Sequence, residues 1–453
     1  MFGRPYIFFD MKIYHGAVEW WLAGGDLYEY VSPSGLGFTY PPFAALVMAP
    51  MALFSSSVAG WLNAFGSAAA LGVVLAVLML PIADRQGWPR WPTVTVALVL
   101  GLAIEPTRET LGFGQVNLLL FGLVMADMVG LRWAASRRRR PRKPPSAPWQ
   151  AREALQRFWF SGAWAGAGIG LATAVKVTPG LFIVYLLVSK QRRPAMVAMG
   201  TAAAVSVLTW AVAPRESTAY WTSVLWQTDR VGAADFTPNQ SLAGVLARLY
   251  DSPETPGLLW LSFAALCCAV GLSRAVTAHK EGDEAASFTL VGLTATVISP
   301  ISWSHHLVFV VPAIVIMIDT ALRRRSASRG LGLGSSVAWL YYGAGAVATY
   351  VVFLISPIWW VHHRLPLGSH YDSGILGVLA ENSLALSVIA LVALMPHRPG
   401  AAPAHPASIG LWITRQQSPR RRPAPVRSVV GSFGSTEAAP SPISSPATRT
   451  AGS

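Results

Sequence analysis

The stretch Ala286–Ile318, ASFTLVGLTATVISPISWSHHLVFVVPAIVIMI, decides the class of fold. Two apolar segments flank eight residues that include Pro300, Trp303 and the pair His305–His306. Apolar segments of this kind suit the interior of a membrane, where a helix needs about 20 residues to cross. The short break between them is therefore either a plain connecting loop or part of a functional site.

The composition of the whole chain favours an all-α polytopic membrane protein. Of its 453 residues, 53% are hydrophobic and 12% are charged, whereas a soluble domain carries about 25% charged residues. Basic residues on the cytoplasmic side of a membrane account for the net charge of +14 without a nucleic-acid partner. Cys267 and Cys268 lie together in an apolar run and offer neither a disulfide framework nor a metal cage.

Apolar segments predict about eleven transmembrane helices. A further apolar stretch, Tyr40–Phe54, is short and is predicted to lie at the membrane interface. Lys and Arg residues concentrate in alternate loops, which predicts the sidedness of every connection. The predicted helices occupy residues 58–80, 92–105, 114–132, 159–175, 177–190, 194–213, 257–275, 286–300, 305–322, 334–355 and 374–395.

Three regions follow from this topology. Residues 1–57 are predicted to form an extracytoplasmic first loop with an interfacial helix, and residues 58–395 the polytopic domain. Residues 396–453 are rich in Pro, Ser and Arg, which predicts a disordered basic cytoplasmic tail. The polytopic domain is expected to contain a basic cytoplasmic loop at about 133–158 and a large external loop at about 214–256. Because the first loop falls outside, either the short N-terminus crosses the membrane alone or a first helix upstream of it is missing from this sequence, and we expect the second.

Polar residues gather on the predicted outer face. No Walker or Rossmann glycine pattern and no G-x-S-x-G motif occurs in the sequence, which argues against nucleotide, dinucleotide and serine-hydrolase chemistry. Asp10 could accept a hydroxyl proton, and Lys176, His305 and His306 could steady a departing phosphate by charge or hydrogen bonds. This set suits transfer of a sugar from a lipid-phosphate carrier that is activated before it reaches the outer face.

Each of these residues also has a plain structural interpretation. Asp10 could be one more interfacial carboxylate, Lys176 could extend towards water, and Gln115 and Asn117 could cap a helix. The adjacent histidines lack zinc-site spacing, so no metal is predicted. Four tryptophans are typical of an aromatic belt at the membrane interface and could alternatively stack on a sugar: Trp20, Trp21, Trp359 and Trp360.

The motifs in their order resemble one known family. The chain carries D-x-x-x-Y-x-x-A from Asp10, then G-x-D-L-Y, F-T-Y-P-P, G-Q-V-N, K-x-T-P, N-Q-S-L and S-P-I-S-W-x-H-H. This series, spread over Asp10–Met395, resembles the actinobacterial polyprenyl-phosphate-mannose-dependent α-(1→2)-mannosyltransferases, which are type C membrane glycosyltransferases. The resemblance implies transfer of mannose with inversion to a phosphatidylinositol mannoside or lipoglycan acceptor at the outer face of the plasma membrane.

The resemblance also implies roles for individual residues. It places the general base at Asp10 and requires neither a metal nor another cofactor, since the lipid-linked donor polyprenyl-phosphate-mannose is a substrate. Contacts to the donor phosphate or to a sugar are implied for Tyr14, Tyr40, Gln115, Asn117, Lys176, Asn239, Gln240, His305 and His306.

Two other functions remain open from the sequence. A lipid-linked sugar transporter would favour charged residues at the middle of the membrane, whereas here they lie at helix ends on one side. An inactive, truncated member of the transferase family is the other alternative. In each case the basic loop Arg137–Ala147 is expected to contact anionic lipids.

Overall fold

The computed structural model describes residues 8–138, 151–252, 254–330, 337–362 and 374–399, all within the compact unit Met1–Pro406. In these residues the regular structure is helical apart from one antiparallel bridge between Asn239 and Trp303. The α-helices are α1 (Phe9–Leu22), α2 (Pro42–Met48), α3 (Ser56–Gln86), α4 (Arg90–Ala103), α5 (Glu105–Phe113), α6 (Asn117–Arg138), α7 (Ala151–Trp159), α8 (Ala167–Val175), α9 (Gly180–Val188), α10 (Arg192–Val212), α11 (Pro214–Thr222), α12 (Leu242–Leu249), α13 (Gly257–Lys280), α14 (Glu284–Ile298), α15 (Val310–Gly330), α16 (Ala338–Ile355), α17 (Ile358–His362), α18 (Gly374–Glu381) and α19 (Ser383–Leu394). Four 3₁₀ helices lie at Ala49–Leu53, Val224–Trp226, Thr228–Val231 and Ser304–His306.

A helix occupies each of the eleven predicted apolar segments, but eleven crossings are not confirmed. Five helices of the described chain are long and apolar enough to span a membrane, or six if the pair α18–α19, bent by 66°, forms one span. Helices α8 and α9 have nine residues each, a length of about 14 Å at 1.5 Å per residue. A hydrocarbon core is about 30 Å thick, so neither helix crosses it alone. The polar turn that begins at Lys176 divides them.

The first region is more helical than the sequence predicts. Helix α1 forms at its start, and the predicted interfacial stretch becomes α2 followed directly by the 3₁₀ helix Ala49–Leu53. Gly114 ends α5 in a left-handed conformation with φ of 72°. A Cβ atom at this position would come within 2.6 Å of the Met11 Cβ atom. Glycine therefore lets α5 pack closely against α1. This packing brings Asp10 next to Gln115, the residue that follows Gly114.

Helix α14 lies at the centre of the structure. Its residues from Ala285 to Val297 are all buried, and it packs against α9, α13, α15 and α19. A helix that is apolar on every side is typical of such a position. It ends at Ile298, and Ser299 is already extended. Since proline at position 300 disfavours helix in the residue before it, α14 ends two residues before the predicted end at residue 300.

Far along the chain, the last described residues join an ion-pair cluster made of Arg85, Asp283, Asp319, Arg323 and Arg398. The Arg398 guanidinium binds Asp283 at 2.6 Å and Asp319 at 2.8 Å, and Asp319 also pairs with Arg323 at 3.0 Å and with Arg85. The start of the predicted tail is therefore held against the helices. Residues 400–453 and the centre of the predicted basic loop, 139–150, lie outside the described residues.

Candidate active site

A cavity of about 830 Å³ opens where α1, the end of α5, the turn after α8 and the break before α15 meet. Its size falls within the roughly 300–1,000 Å³ that is usual for ligand pockets. Seven residues predicted from the sequence line it: Asp10, Tyr14, Tyr40, Gln115, Lys176, His305 and His306. Asn117 lines a small adjoining cavity of about 60 Å³, which shares Lys176 and His306 with the large one.

Neutral hydrogen-bonding groups hold the carboxylate of Asp10. Gln115 Nε2 donates to Asp10 Oδ2 at 2.6 Å and to the hydroxyl of Tyr14 at 2.8 Å. The Tyr14 hydroxyl donates to that of Tyr40 at 3.0 Å, and Tyr40 donates back to Gln115 Oε1 at 2.8 Å. This closed ring fixes the amide of Gln115 and, through it, the orientation of Asp10.

The surroundings of Asp10 raise the pKa of its carboxyl group to about 6. The main cause is burial, which penalises the charged form. The hydrogen bond from Gln115 and the charge of Lys176 act in the opposite direction, while the charge of Glu109 raises the pKa further. A carboxylate with a pKa near 6 remains ionised at neutral pH and is a better proton acceptor than an ordinary aspartate.

Lys176 lies at the start of the turn after α8 and faces the same cavity. Its ammonium donates to Asn117 Oδ1 at 3.1 Å and lies 2.9 Å from His306 Nε2. It also lies 5.2 Å from the centre of the Tyr40 ring. Burial lowers the pKa of Lys176 to about 7, and the charge of Asp10 partly offsets this effect. Among the described residues no carboxylate is in direct contact with the amine, and in its protonated form this partly buried group suits an anionic ligand.

The two histidines act as neutral groups. Burial lowers the pKa of His305 to about 3 and that of His306 well below its ordinary value, and the charge of Lys176 adds to both effects. A charged ammonium can only donate, so His306 Nε2 accepts from Lys176. His305 Nε2 is buried and has no hydrogen-bond partner within the described chain. Of the three side chains predicted to steady a departing phosphate, Lys176 can therefore do so by its charge, and the two histidines by hydrogen bonds.

The backbone of the histidine turn is fixed by the predicted residue Asn117 together with Thr110. The carbonyl of His305 accepts from Asn117 Nδ2 at 3.1 Å and from the hydroxyl of Thr110 at 3.0 Å. Asn117 thus connects this turn to Lys176 rather than acting as a helix cap.

Asn239 and Gln240 are not among the residues that line the cavity, so their predicted contact with a ligand stays a prediction. Asn239 Oδ1 accepts from the amide of Ser302 at 2.9 Å, and its Nδ2 donates to Pro300 O at 3.3 Å. Gln240 Nε2 donates to Glu381 O at 2.8 Å, and its Oε1 accepts from the amide of Ala385. The Asn239 amide thus holds the S-P-I-S-W-S-H-H segment, and the Gln240 amide holds the junction of α18 and α19.

The predicted aromatic belt is only partly exposed. Trp20 and Trp360 are half exposed, whereas Trp359 is 8% exposed and lines the cavity. Trp21 donates from Nε1 to Glu216 at 2.9 Å. Trp303 also lines the cavity and packs edge-on against Phe236 at 5.9 Å between ring centres. Trp359 and Trp303 are therefore walls of the site rather than membrane anchors.

Sequence reasoning missed Glu105 as a residue that organises the site. Its side chain is fully buried, and Oε1 accepts from Trp359 Nε1 at 2.5 Å and from the Ser304 hydroxyl at 3.4 Å. Arg108 pairs with the other carboxylate oxygen. Glu105 thereby joins α5, α17 and the histidine turn. The available signal was a charged residue placed directly after the apolar helix α4, where an unpartnered carboxylate would be costly.

The predicted absence of a metal stays a prediction. Among the described residues, no group of three or more His, Cys, Asp or Glu side chains is placed to hold an ion. The site offers instead a proton acceptor, a cation and neutral donors around one cavity. Together these groups can deprotonate a hydroxyl and stabilise a phosphate.

Similarity to known proteins agrees with this arrangement. The chain is 29% identical over 352 residues to the polyprenol-phosphate-mannose-dependent α-(1-2)-phosphatidylinositol mannoside mannosyltransferase of Mycobacterium tuberculosis, covering 72% of this chain and 74% of that protein. The protein of the same name from Mycolicibacterium smegmatis is 30% identical, with 72% and 73% covered. A pentamannoside mannosyltransferase with the same donor dependence, also from Mycolicibacterium smegmatis, is 28% identical, with 78% and 85% covered.

Among solved structures, ArnT from Cupriavidus metallidurans aligns with 91% of this chain and 76% of its own, at 18% identity and a TM-score of 0.34. The family assignment therefore rests on sequence similarity and not on this structural alignment. The profile of glycosyltransferase family 87 matches residues 38–300, which is more than half of the chain. The apolar helices and the relatives agree with a membrane protein, and this chain is a glycosyltransferase that belongs to family 87.

Proposed function

We propose that this enzyme transfers mannose, with inversion, from polyprenyl-phosphate-mannose to a hydroxyl group of a phosphatidylinositol mannoside or lipoglycan, forming an α-(1→2) linkage. The observation that carries the proposal is the presence of Asp10 and Lys176 in one cavity, each held by neutral partners. The donor and the acceptor class follow the names of the mycobacterial relatives.

Asp10 is the base in this reaction. Its carboxylate takes the proton of the acceptor hydroxyl as the acceptor oxygen forms a bond to the anomeric carbon of mannose. The bond between that carbon and the donor phosphate oxygen breaks, and both of its electrons leave with polyprenyl phosphate. Inversion of a β-linked donor gives the α product. The proton on Asp10 then passes to solvent and restores the base.

Lys176 stabilises the charge that develops on the departing phosphate. A fixed cation in a site largely shielded from water acts strongly on such a charge. His305, whose Nε2 is buried and has no hydrogen-bond partner among the described residues, supplies a hydrogen bond to the phosphate or the sugar. The ring formed by Gln115, Tyr14 and Tyr40 orients Asp10 towards the acceptor, and so reduces the entropy that must be lost to reach the transition state.

We place the cavity on the extracytoplasmic side of the plasma membrane and the C-terminal tail in the cytoplasm. The alternation of basic loops along the sequence supports this orientation. On this side the donor must be a lipid-linked sugar, which agrees with the relatives. The basic loop around 133–158 then lies on the inner side, where anionic lipids are available to it.

Membranes that contain the expressed chain test the proposal. They are incubated with labelled polyprenyl-phosphate-mannose and a panel of phosphatidylinositol mannosides, and the linkage in the product is analysed. We expect one added mannose in α-(1→2) linkage, and none with GDP-mannose when donor synthesis is blocked. Movement of the labelled donor across the bilayer without any transfer would contradict the proposal and favour a transporter.

A further inference from the structure

The cavity has a second cationic group in addition to Lys176. Among the described residues that line the cavity, two carry a Lys or Arg side chain, namely Lys176 and Arg230. One carries an Asp or Glu side chain, namely Asp10. With the histidines neutral, the cavity carries an excess of positive charge. Such a cavity suits a second anionic group in addition to the phosphate held by Lys176.

The guanidinium of Arg230 is held by neutral groups. Its Nη2 donates to the carbonyl of Tyr28 at 2.5 Å, and its Nη1 donates to Gln227 Oε1 at 3.4 Å. A Cβ atom at Gly37 would lie 3.5 Å from Arg230 Nη2 and 2.7 Å from the carbonyl of Tyr30. The absence of a side chain at Gly37 therefore permits its close approach to the Tyr30 carbonyl, and Arg230 lies within ordinary contact distance of this position.

Arg230 keeps donors for a ligand. A guanidinium carries five N–H groups, and the two hydrogen bonds to Tyr28 and Gln227 use two of them. None of the described carboxylates forms an ion pair with Arg230. Its planar donor fork matches a phosphate through two parallel hydrogen bonds. Gln227 lines the cavity beside it and adds an amide.

Arg230 and Lys176 have different neighbours. Lys176 contacts Asn117 and His306 and acts on the charge of Asp10. Arg230 contacts groups of the first loop and of the segment after α11. The two cations share no hydrogen-bonding partner in the described chain, so each is held by its own set of neutral groups.

We propose that Arg230 and Gln227 bind the phosphodiester of the acceptor headgroup, while Lys176 serves the departing phosphate of the donor. This assignment rests on the proposed function, in which each of the two lipid substrates carries one phosphate. The enzyme would thereby select acceptors whose mannose is attached to an anionic lipid.

The test compares two acceptors at fixed donor concentration: a phosphatidylinositol mannoside and the uncharged octyl α-mannoside. For Arg230→Gln we expect the KM for the phosphatidylinositol mannoside to rise about tenfold, as loss of one charged hydrogen-bonding contact implies. The KM for polyprenyl-phosphate-mannose and the kcat/KM for octyl α-mannoside should change by less than about twofold. Arg230→Lys should restore part of the loss. Arg215→Gln, an exposed site in the same external loop, is the matched control and should leave all values unchanged.

Each other outcome contradicts the assignment. A higher KM for the donor would place Arg230 at the donor phosphate. An equal loss with both acceptors would make Arg230 a residue that positions the first loop, and unchanged constants would give it no role. If the wild-type chain transfers no mannose, binding of labelled phosphatidylinositol mannoside to the purified protein separates the two proposals. Binding weakened by Arg230→Gln supports the subsite, and absence of binding by the wild type overturns it.

Discussion

Two groups of charged side chains in this protein are held by opposite kinds of partner. In the ion-pair cluster, the carboxylates of Asp283 and Asp319 are bound directly by arginines. In the cavity, Asp10 accepts from the amide of Gln115, and Lys176 donates to neutral groups. Among the described residues, Asp10 and Lys176 form no direct ion pair with each other.

The difference separates structure from chemistry. Opposite charges in contact neutralise one another, and removing one member leaves the other uncompensated. A charge held by neutral groups is kept in place without being neutralised, so it can still take a proton or attract a phosphate. Shifted pKa values are typical of such positions. The cluster should therefore govern stability and the cavity should govern turnover.

The largest effect is expected at Asp10. In Asp10→Asn the amide keeps the size of the side chain but cannot accept the acceptor proton, so kcat should fall at least about 10³-fold, within the range measured for general-base catalysis. Transfer of labelled mannose in membranes measures this. Asp84→Asn is the matched control, because Asp84 is exposed and pairs with Arg90 far from the cavity. Normal turnover in Asp10→Asn would reject Asp10 as the base.

The second effect lies in the ion-pair cluster and is one of stability. Asp319→Asn removes the charge that faces Arg85, Arg323 and Arg398. Breaking a buried pair on one side costs about 3–5 kcal/mol, so thermal unfolding of the purified protein should occur at a markedly lower temperature. Turnover per folded molecule should stay within about twofold of the wild type. A folded variant that has lost its turnover would contradict the division between the two regions.

A smaller loss is expected at Lys176. In Lys176→Gln the departing phosphate loses its cation but keeps a hydrogen-bond donor, which should lower kcat/KM about 10²-fold. Lys176→Arg should recover part of the rate. Lys280→Gln, at an exposed position at the end of α13, provides the control. Equal rates in Lys176→Gln and the wild type would show that the phosphate is stabilised elsewhere.

The sequence predicts the helices better than their crossings. Each of the eleven apolar segments of the sequence contains a helix, because burial in an apolar environment depends on residue composition. They do not give helix lengths, since the apolar segment 159–175 contains α8 only from Ala167, after a run of turns that its composition does not mark. Helix α1 was missed because Asp10, Lys12 and His15 interrupt its apolar residues.

Motif order finds most of the cavity but does not separate ligand contacts from structural contacts. Asp10, Gln115, Lys176 and the histidine pair all reach one cavity. The N-Q-S-L motif supplies Asn239 and Gln240, whose amides hold backbone segments. Both kinds of role use the same residue types, so only packing distinguishes them. Glu105 belongs to the same class, since its importance depends on Trp359, which is distant in sequence.

The pH dependence of kcat/KM tests the role of Asp10 most directly. The carboxyl pKa of about 6 predicts that the rate falls below pH 6, where the protonated group can no longer accept a proton. The pKa of Lys176 near 7 predicts a second fall above pH 7, as the amine loses its charge. The acid limb should be absent from the residual activity of Asp10→Asn, while the basic limb remains. An acid limb that persists in this variant, or one near pH 4 in the wild type, would contradict the assignment of Asp10 as a general base with a raised pKa.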